Sequence, residues 1–497
     1  MTTAAPPVIV WFRRDLRLAD NPALAEAAAS GRPVIPVYLH DPEAAGAWSD
    51  GAASRWWLHH ALGALAEALD RAGAPLLRLR GPAGPVLADL AAATGAEQVL
   101  WNRRIEPWAV RQEAEVCRRL AGRGIGCRSF LASLLFEPGS ILNRAGAPFK
   151  VFTPFWRACL AAPPPPRPLP APARLRPAAA LPGSEALAAW RLLPTAPDWS
   201  AGLRRTWQPG EDAALRRLAG FLDDTLLEYG QGRDRPGRDQ TSRLSPHLQF
   251  GELSPRQLFH ATAGAGPSAG AERFLAELGW REFSAHLLHQ HPDLPERPLR
   301  PEFEGMAWRC DSEALEAWRH GRTGYPLVDA GMRQLWATGW MHNRVRMVAA
   351  SFLVKDLLIS WREGEAWFWD TLVDADLASN AASWQWVAGC GADASPFFRV
   401  FNPVLQGEKF DADGAYVRHW CPELAALPDR WLHQPWRAPA ETLRRAGVTP
   451  GQSCPAPLVA HDESRRRALA AFAALKGARQ SRGTADPGDD KTAKDDE

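Results

Sequence analysis

At 497 residues, with 46% hydrophobic and 23% charged residues, the chain is long enough for two globular domains and has the composition of a soluble protein. A formal net charge of only +2 excludes a globally basic surface, so any nucleic-acid site must be a local patch. Seven cysteines, an odd number without a Cys-x-x-Cys pair, argue against a disulfide framework and a zinc site. Because no signal peptide and no long apolar span occur, we expect a cytoplasmic protein.

The first third of the chain alternates short apolar runs with amphipathic stretches. One amphipathic stretch predicts a helix at Pro22–Ser30, with Asn21 as its N-cap and Gly31 just after its end. A second predicts a helix at Ala53–Ala72 that ends at Gly73. The apolar runs predict buried parallel strands at Val8–Phe12, Val34–Leu39, Leu76–Leu79 and Gln98–Trp101. This alternation predicts a doubly wound, Rossmann-like α/β domain with a parallel sheet.

The rest of the chain is divided by its composition and periodicity. A Pro- and Ala-rich stretch predicts an extended linker, and after it the period is helical with no convincing strand. The first strand-to-helix turn has no Gly-x-Gly-x-x-Gly, so we do not expect a dinucleotide to bind there in the usual way. The expected segments are an α/β domain at 1–135, an interdomain linker at 136–205 with its Pro/Ala-rich part at 161–183, an all-α domain at 206–475 and a disordered tail at 476–497.

Three blocks of the helical region concentrate Trp, Asn, Met and Arg beyond what core packing explains: Met341–Met347, Ser360–Glu363 and Asp374–Trp386. In a helix, Asp376, Asn380 and Trp384 lie four residues apart and therefore share a face. A carboxylate, an amide and an indole in one stripe suit a flat aromatic cofactor. Trp386 is two positions beyond Trp384 and is expected to point elsewhere.

These blocks resemble those of the DNA photolyase/cryptochrome family, and the resemblance covers nearly the whole chain. Its other motifs, in the family's order, are Val8–Leu18, Thr241–Ser245, Glu277–Phe283 and Phe398–Pro403. The resemblance implies an antenna α/β domain followed by an all-α FAD-binding domain. The chain is most similar to microbial photolyases that act on cyclobutane pyrimidine dimers.

The resemblance implies that the helical domain binds FAD, which is reduced in the active form. The loop Thr241–Pro246 enters a helix, where free N–H groups, hydroxyls and Arg243 either hold a pyrophosphate or form a cap with a surface arginine. Asn380 is either an ordinary polar helix residue or, as the family implies, the partner of flavin N5 that favours the reduced form. The implied FAD-binding residues are Tyr229, Thr241, Ser242, Arg243, Leu244, Ser245, Glu277, Arg281, Asn343, Arg346, Asp374, Asp376 and Asn380.

Trp308, Trp361 and Trp384 fall at the positions of the family's tryptophan triad. In a chain with 23 tryptophans, each of them alone is equally typical of a core aromatic. Their joint alignment implies that they carry electrons from the surface to the flavin. That photoreduction is separable from repair itself.

Glu277, Trp280 and Arg281 stand at i, i+3 and i+4, which by itself is typical of an ordinary salt-bridged helix. In the family the matching Glu bonds the carbonyls of the dimer, and the Trp stacks on the flipped-out lesion. A carboxyl beside apolar rings is expected to have a raised pKa, so Glu277 would donate a proton or a hydrogen bond. The implied catalytic residues are Glu277, Trp280, Asn343, Met347 and Trp386.

The same block indicates the type of lesion. Photolyases for 6-4 photoproducts need a histidine pair for acid–base work, whereas Asn343 and Met347 occupy the key places here. His342 is interpreted as structural or phosphate-facing. The sequence therefore favours cyclobutane dimers.

Candidate phosphate contacts around this pocket are Arg233, Arg344, Arg399 and Lys409. Taken singly, each is more typical of a solvated surface charge. The expected partner is UV-damaged DNA, and we expect a monomer with no membrane and no obligate protein partner.

A second, antenna chromophore is common in the family, often a folate and sometimes a deazaflavin. The family's usual Asn-Glu pair for a folate should fall near residues 108–109, where this chain has Trp108 and Ala109. The antenna therefore stays unassigned. The predicted function is light-driven repair of cyclobutane dimers by reduced FAD; the alternatives are a cryptochrome-type photoreceptor without repair activity and a helical flavoprotein without light chemistry.

Overall fold

The computed structural model describes residues 5–179, 181–394 and 399–483, with side chains in the last helix as far as residue 475. Phe398 of the predicted motif and residues 484–497 of the predicted tail lie outside these ranges. Within them, no helix has both the length and the apolar character needed to cross a bilayer.

A five-stranded parallel sheet forms the N-terminal domain, in the order β3-β2-β1-β4-β5. Its strands are β1 Val8–Phe12, β2 Val34–His40, β3 Leu77–Arg80, β4 Gln98–Asn102 and β5 Gly126–Phe130. The four predicted strands are confirmed to within one residue at each end. The edge strand β5 escaped prediction because it is half-exposed and has no run of apolar residues.

Four helices cover the two faces of this sheet: α1 Pro22–Ala29, α2 Ala52–Ala72, α3 Ala83–Thr94 and α4 Pro107–Ala121. Side chains of β1 alternate between two cores, with Val8 and Val10 packed with α1 and α2, and Ile9 and Trp11 packed with α3 and α4. The predicted doubly wound fold is therefore confirmed. The predicted caps also occur, since Asn21 accepts a hydrogen bond from the N–H of Leu24 (3.1 Å).

The rest of the described chain is helical. Its helices are α5 Phe152–Ala161, α6 Ala201–Thr206, α7 Glu211–Asp224, α8 Tyr229–Gly232, α9 Ser245–Gln249, α10 Pro255–Gly264, α11 Ala269–Gln290, α12 Ser312–Arg319, α13 Pro326–Thr338, α14 Asn343–Ser351, α15 Trp361–Thr371, α16 Leu377–Ala388, α17 Pro403–Phe410, α18 Ala415–Trp420, α19 Asp429–Leu432, α20 Ala440–Ala446 and α21 His461–Gly483. The largest core cluster lies among α12 to α18 and α21, beside the predicted site. Helix α21 continues to Gly483, into the segment predicted to be disordered.

Candidate functional site

A cavity of about 850 Å³ opens among α8, α9, α11, α14 and α16. Of the residues predicted from the sequence, its wall contains Tyr229, Arg233, Ser242, Leu244, Ser245, Glu277, Trp280, Arg281, Asn343, Arg344, Arg346, Met347, Asp374, Asp376, Asn380, Trp384, Trp386 and Arg399. The predicted residues that lie outside the wall are Thr241, Arg243, Trp308, Trp361 and Lys409. Residues separated by up to 170 positions in sequence therefore meet around one space large enough for a cofactor and a ligand.

The turn before α9 carries the predicted phosphate-binding residues. Arg243 has a positive φ of 49°, which directs its side chain to Asp239 (3.1 Å) and over the ring of Trp340 (5.2 Å). Its guanidinium consequently lies behind the cavity wall. Ser245 instead donates a hydrogen bond to Asp374 (2.6 Å) at the edge of the cavity.

An arginine–carboxylate pair closes this end of the cavity. Arg346 on α14 donates two hydrogen bonds to Asp374, at 3.0 and 2.8 Å, and a third to the carbonyl of Met341 (2.7 Å). Both bonds to Asp374 come from Nη2, and the bond from Nε to Met341 fixes the orientation of the guanidinium. Because Asp374 is almost fully buried, the pair neutralises a charge that would otherwise be costly to hold beside an aromatic cofactor.

His342 begins α14 as its N-cap. Its Nδ1 accepts a hydrogen bond from the N–H of Arg344 (3.2 Å), and burial lowers the pKa of the imidazole to about 4. The ring is therefore neutral at physiological pH. His342 has a structural position, beneath the cavity wall formed by Asn343 and Met347.

Asn380 is held in one orientation on α16. Its amide nitrogen donates to the carbonyl oxygen of Glu365 (3.1 Å), and the side chain is only 8% exposed. The amide nitrogen is thereby engaged by the protein, and the oxygen is the group of this amide that can accept a hydrogen bond from a ligand. Asp376 caps the same helix by accepting from the N–H of Ser379 (2.7 Å).

Glu365, which the sequence reasoning did not single out, lies directly behind Asn380. It is 1% exposed, and burial raises the pKa of its carboxyl well above the usual range. One of its carboxylate oxygens is buried with no hydrogen-bond partner in the described structure. The backbone carbonyl of this buried residue, and not its carboxyl, holds the amide that faces the cavity.

The opposite end of the cavity is built on α11. Trp280 stacks on Phe152, with ring centroids 3.8 Å apart and an interplanar angle of 10°, so one face of the indole is covered. Arg281 donates to the carbonyl of Ser133 (2.6 Å) and is turned toward the α/β domain. The free side of Trp280 and the side chains of Met347 and Trp386 form an apolar wall.

Glu277 has different neighbours from those expected. It forms an ion pair with Arg233 on the turn after α8, and Arg273, one turn earlier on α11, lies 3.7 Å away. The sequence predicted apolar rings beside this carboxyl, and the structure adds two arginines to its neighbours. Helix phase correctly gave its face but could not reveal an arginine from a distant part of the sequence.

Glu282, five positions further along α11, is the carboxyl that is enclosed by protein. It is 4% exposed and accepts hydrogen bonds from the N–H groups of Leu135 (3.0 Å) and Phe136 (3.4 Å). Burial raises its pKa from 4.5 to about 7. Glu282 thus fastens α11 to the segment that follows β5.

We expect the mutation Glu282→Gln to remove a pH dependence of stability. The folded protein binds the proton of Glu282 more tightly than the unfolded chain, so its contribution is full below about pH 4.5 and is lost as the pH rises toward 7. The loss amounts to about 3 kcal/mol, which the neutral amide should not show. Urea unfolding between about pH 5 and pH 8 measures it. If the free energy of unfolding of the two proteins changed in parallel with pH, Glu282 would not be the group that titrates. Glu272→Gln on the same helix is the matched control.

No ring contact joins the three tryptophans of the predicted triad to one another within the described residues. Trp384 is buried in the cavity wall, Trp361 is 1% exposed, and the half-buried Trp308 packs against the core cluster that contains both. The ring contacts of Trp384 are with Phe368 (5.0 Å) and with Trp318 (6.3 Å), a buried indole that sequence alignment did not indicate. Trp386 reaches the cavity separately and also lines a small recess beside it.

The residues predicted to contact phosphates differ in whether their side chains already bind other groups of the protein. Arg233 is engaged by Glu277, and Arg344 donates to Asp234 (2.9 Å) and lies over the ring of Phe410. Lys409 also lies over Phe410, at 5.1 Å, outside the cavity wall. Of the three predicted phosphate contacts in the cavity wall, Arg233 and Arg344 are thus held within the protein.

Two arginines that the sequence reasoning missed lie on the loop 233–239. Arg235 and Arg238 are exposed, and no ion pair joins them to any part of the chain that the structure describes. The loop is anchored on both sides of Arg235, by the pair of Asp234 with Arg344 and by the buried Pro236. It therefore presents two unpaired guanidinium groups a few residues after Arg233, which lines the cavity.

Comparison with known proteins agrees with this geometry. Residues 8–173 match the family model described as DNA photolyase, and residues 274–474 match the FAD-binding domain of DNA photolyase. A deoxyribodipyrimidine photo-lyase of Agrobacterium fabrum is 50% identical over 96% of this chain and 99% of its own length. Cryptochrome-1 of Arabidopsis thaliana is 42% identical over 92% of this chain and 69% of its own length.

Solved structures give the same relationship. The crystal structure of a bacterial class III photolyase from Agrobacterium tumefaciens superimposes with a TM-score of 0.93 at 50% identity, covering 96% of this chain and 99% of that one. The two matched regions include the α/β domain and the part of the cavity wall that α11, α14 and α16 form. The chain therefore belongs to the DNA photolyase/cryptochrome family and contains its FAD-binding domain.

Proposed function

We propose that this protein is a light-dependent DNA repair enzyme that splits cyclobutane pyrimidine dimers with reduced FAD. The observation that carries the proposal is that one cavity has two chemically distinct ends. One end has the buried Arg346–Asp374 pair and the oriented amide of Asn380. The other has a charged carboxyl, Glu277, beside the apolar surface of Trp280.

The first end fits FAD. Arg346 and Asp374 supply a donor and an acceptor for the edge of a flavin ring, and Ser242 and Ser245 supply hydroxyls for the rest of the cofactor. Asn380 offers an oxygen that accepts a hydrogen bond from a protonated ring nitrogen, which favours the reduced cofactor. When bound, reduced FAD supplies the light-excited electron that starts cleavage of the dimer.

The second end fits a pyrimidine dimer taken out of the duplex. The uncharged faces of the two linked pyrimidines need an apolar surface, which Trp280, Trp386 and Met347 provide. Glu277, oriented by Arg233, would accept a hydrogen bond from an N–H group of the bases, and Arg233 would stabilise the negative charge that develops there. Asn343 adds a neutral polar contact on the α14 side.

Two observations support cyclobutane dimers over 6-4 photoproducts. Asn343 and Met347 stand at the cavity wall, and the neighbouring His342 is a buried, neutral N-cap with no free path to act as an acid. The name of the relative from Agrobacterium fabrum, deoxyribodipyrimidine photo-lyase, agrees with the same substrate. A second chromophore, either a folate or a deazaflavin, is part of the proposal, with Trp108 and the overlying Arg104 (4.6 Å) as its stacking surface.

The test uses the purified, chemically reduced protein under illumination. One duplex carries a single thymine cyclobutane dimer, a second carries a 6-4 lesion, and both have dark controls. We expect light-dependent repair of the first duplex alone. Bound, photoreducible FAD without repair of either duplex would instead support a cryptochrome-type photoreceptor, the second candidate, which the 42% identity to Cryptochrome-1 favours.

We expect the double variant Arg235→Ala/Arg238→Ala to bind DNA more weakly at every sequence. Removing two phosphate contacts should lower the slope of log affinity against log salt by about 2, because each contact releases about one counterion. Fluorescence anisotropy across a potassium chloride series measures both quantities. Repair at saturating DNA should not change, since neither side chain lies in the cavity wall.

The matched control is Arg71→Ala/Arg118→Ala, which removes the same charge from exposed positions on the α/β domain. It should leave the affinity and its salt slope close to those of the unsubstituted protein. An equal loss in both double variants would mean that net charge, rather than the loop 233–239, determines DNA binding.

A further inference from the structure

Cys117 and Cys127 bring two thiols together at the edge of the parallel sheet. Cys117 is on α4 and Cys127 is on the edge strand β5, and their Sγ atoms lie 2.7 Å apart. A disulfide has its sulfur atoms about 2.05 Å apart, so only a small movement of the side chains separates the dithiol from the bonded form. Both residues are half-buried and can be reached by a small solute.

The other cysteines do not offer this arrangement. Cys310 is exposed, and no sulfur partner is recorded for it among the described residues. Cys159, Cys390, Cys421 and Cys454 are buried, where a dissolved oxidant cannot reach them. Accessibility and proximity therefore coincide at Cys117 and Cys127.

We propose that Cys117 and Cys127 form a reversible modification site, a dithiol that low-molecular-weight disulfides such as oxidised glutathione convert to an intramolecular disulfide. This site lies on the α/β domain and is independent of the proposed repair activity. It would be reduced under ordinary intracellular conditions and oxidised when the disulfide form of the thiol pool accumulates.

The two sulfurs have different roles. Burial, the neighbouring Cys127 and Glu113 raise the pKa of the Cys117 thiol, which makes Cys117 the less reactive of the two toward a disulfide. Cys127 is the residue that attacks first. Its thiolate attacks one sulfur of oxidised glutathione, a mixed disulfide forms at Cys127, and one glutathione thiolate leaves and takes up the proton that Cys127 released.

The second step closes the bond. Cys117 loses its proton as its sulfur attacks Cys127 Sγ in the mixed disulfide, and the second glutathione leaves as a thiol with that proton. Two protein thiols are oxidised and one glutathione disulfide is reduced to two thiols. The product joins α4 to β5 across the short turn 122–125.

The experiment uses the full-length, FAD-loaded protein. It is incubated with oxidised glutathione, free thiols are alkylated before and after denaturation, and peptides are analysed by mass spectrometry. We expect Cys117 and Cys127 to be joined, with a mass lower by two hydrogens, while the exposed Cys310 carries glutathione. Alkylation of both thiols, or a stable glutathione adduct at either of them, would overturn the proposal.

Single variants separate a dithiol site from two small packing residues. In Cys117→Ser the resolving thiol is absent, so Cys127 should retain glutathione. In Cys127→Ser the attacking thiol is absent, so Cys117 should be recovered as a free thiol. If Cys127 of the Cys117→Ser variant stays unmodified while Cys310 reacts, the assigned order of attack is overturned. Serine has nearly the size of cysteine, and circular dichroism of each variant checks its fold.

Discussion

Replacing Glu277 with alanine is expected to lower the repair rate of a cyclobutane dimer about 100-fold or more, while FAD stays bound. The carboxyl lies at the end of the cavity that we propose receives the lesion, and its removal leaves Arg233 and Arg273 without the group that joins them. Both the hydrogen bond to the lesion and the orientation of Arg233 are lost. The rate is measured on illuminated, chemically reduced protein, and flavin absorbance reports cofactor retention.

Two further variants show whether the hydrogen bond or the charge of Glu277 matters for repair. Glu277→Gln keeps the shape and a hydrogen-bonding group but removes the charge, so it should retain more activity than alanine if bonding dominates and equally little if charge does. Glu272→Ala on the first turn of α11 is the control for a lost surface carboxylate. Repair at the unsubstituted rate in Glu277→Ala would remove this residue from the site.

Trp384→Phe is expected to slow photoreduction of the oxidised flavin at least about tenfold, because a phenyl ring is harder to oxidise and each 1.4 kcal/mol of barrier is a factor of ten. Trp384 lies in the cavity wall and packs directly on Gly364, where a Cβ would clash with its ring. Repair by chemically reduced protein should not change. Illumination with an external thiol, followed by flavin absorbance, separates the two activities.

Trp318→Phe is the matched control for that experiment. Trp318 contacts Trp384 at 6.3 Å but lies outside the aligned triad, and the substitution has the same size in the same core. We expect photoreduction close to that of the unsubstituted protein. An equal loss in this variant would mean that oxidised Trp384 takes its electron from Trp318 and not from Trp361.

The parts of the fold that sequence predicted are those with a local signal. A buried apolar run such as Val8–Phe12 predicts a strand, and a capping residue such as Asn21 predicts the start of a helix, each to within a few residues. The edge strand β5 has no such run, and only its pairing with β4 in the structure identifies it as a strand. Local pattern therefore reveals strands with an apolar run, including the edge strand β3, and misses a strand such as β5 that has none.

For the site, helix phase and family motifs gave most of the cavity wall but not its charge pairing. Glu277 and Arg233 are 44 positions apart, so their ion pair is invisible to helix periodicity. The same reason explains why Arg233 was predicted to grip DNA and Arg235 was not, since only the folded chain shows which arginine is already occupied. Cys117 and Cys127 likewise become neighbours only when α4 packs on β5.

Because some arginines are exposed and unpaired while others are held in ion pairs, ionic strength should affect the protein's search along DNA differently from its recognition of a lesion. Exposed charges such as Arg235 are screened beyond about 8 Å at physiological salt, whereas the partly buried pair of Arg233 with Glu277 is screened much less. Added salt would shorten each encounter with undamaged DNA without reshaping the pocket that receives the lesion. The cell's ionic conditions would then set how many sites the protein surveys per second, and the pocket would set which of them it keeps.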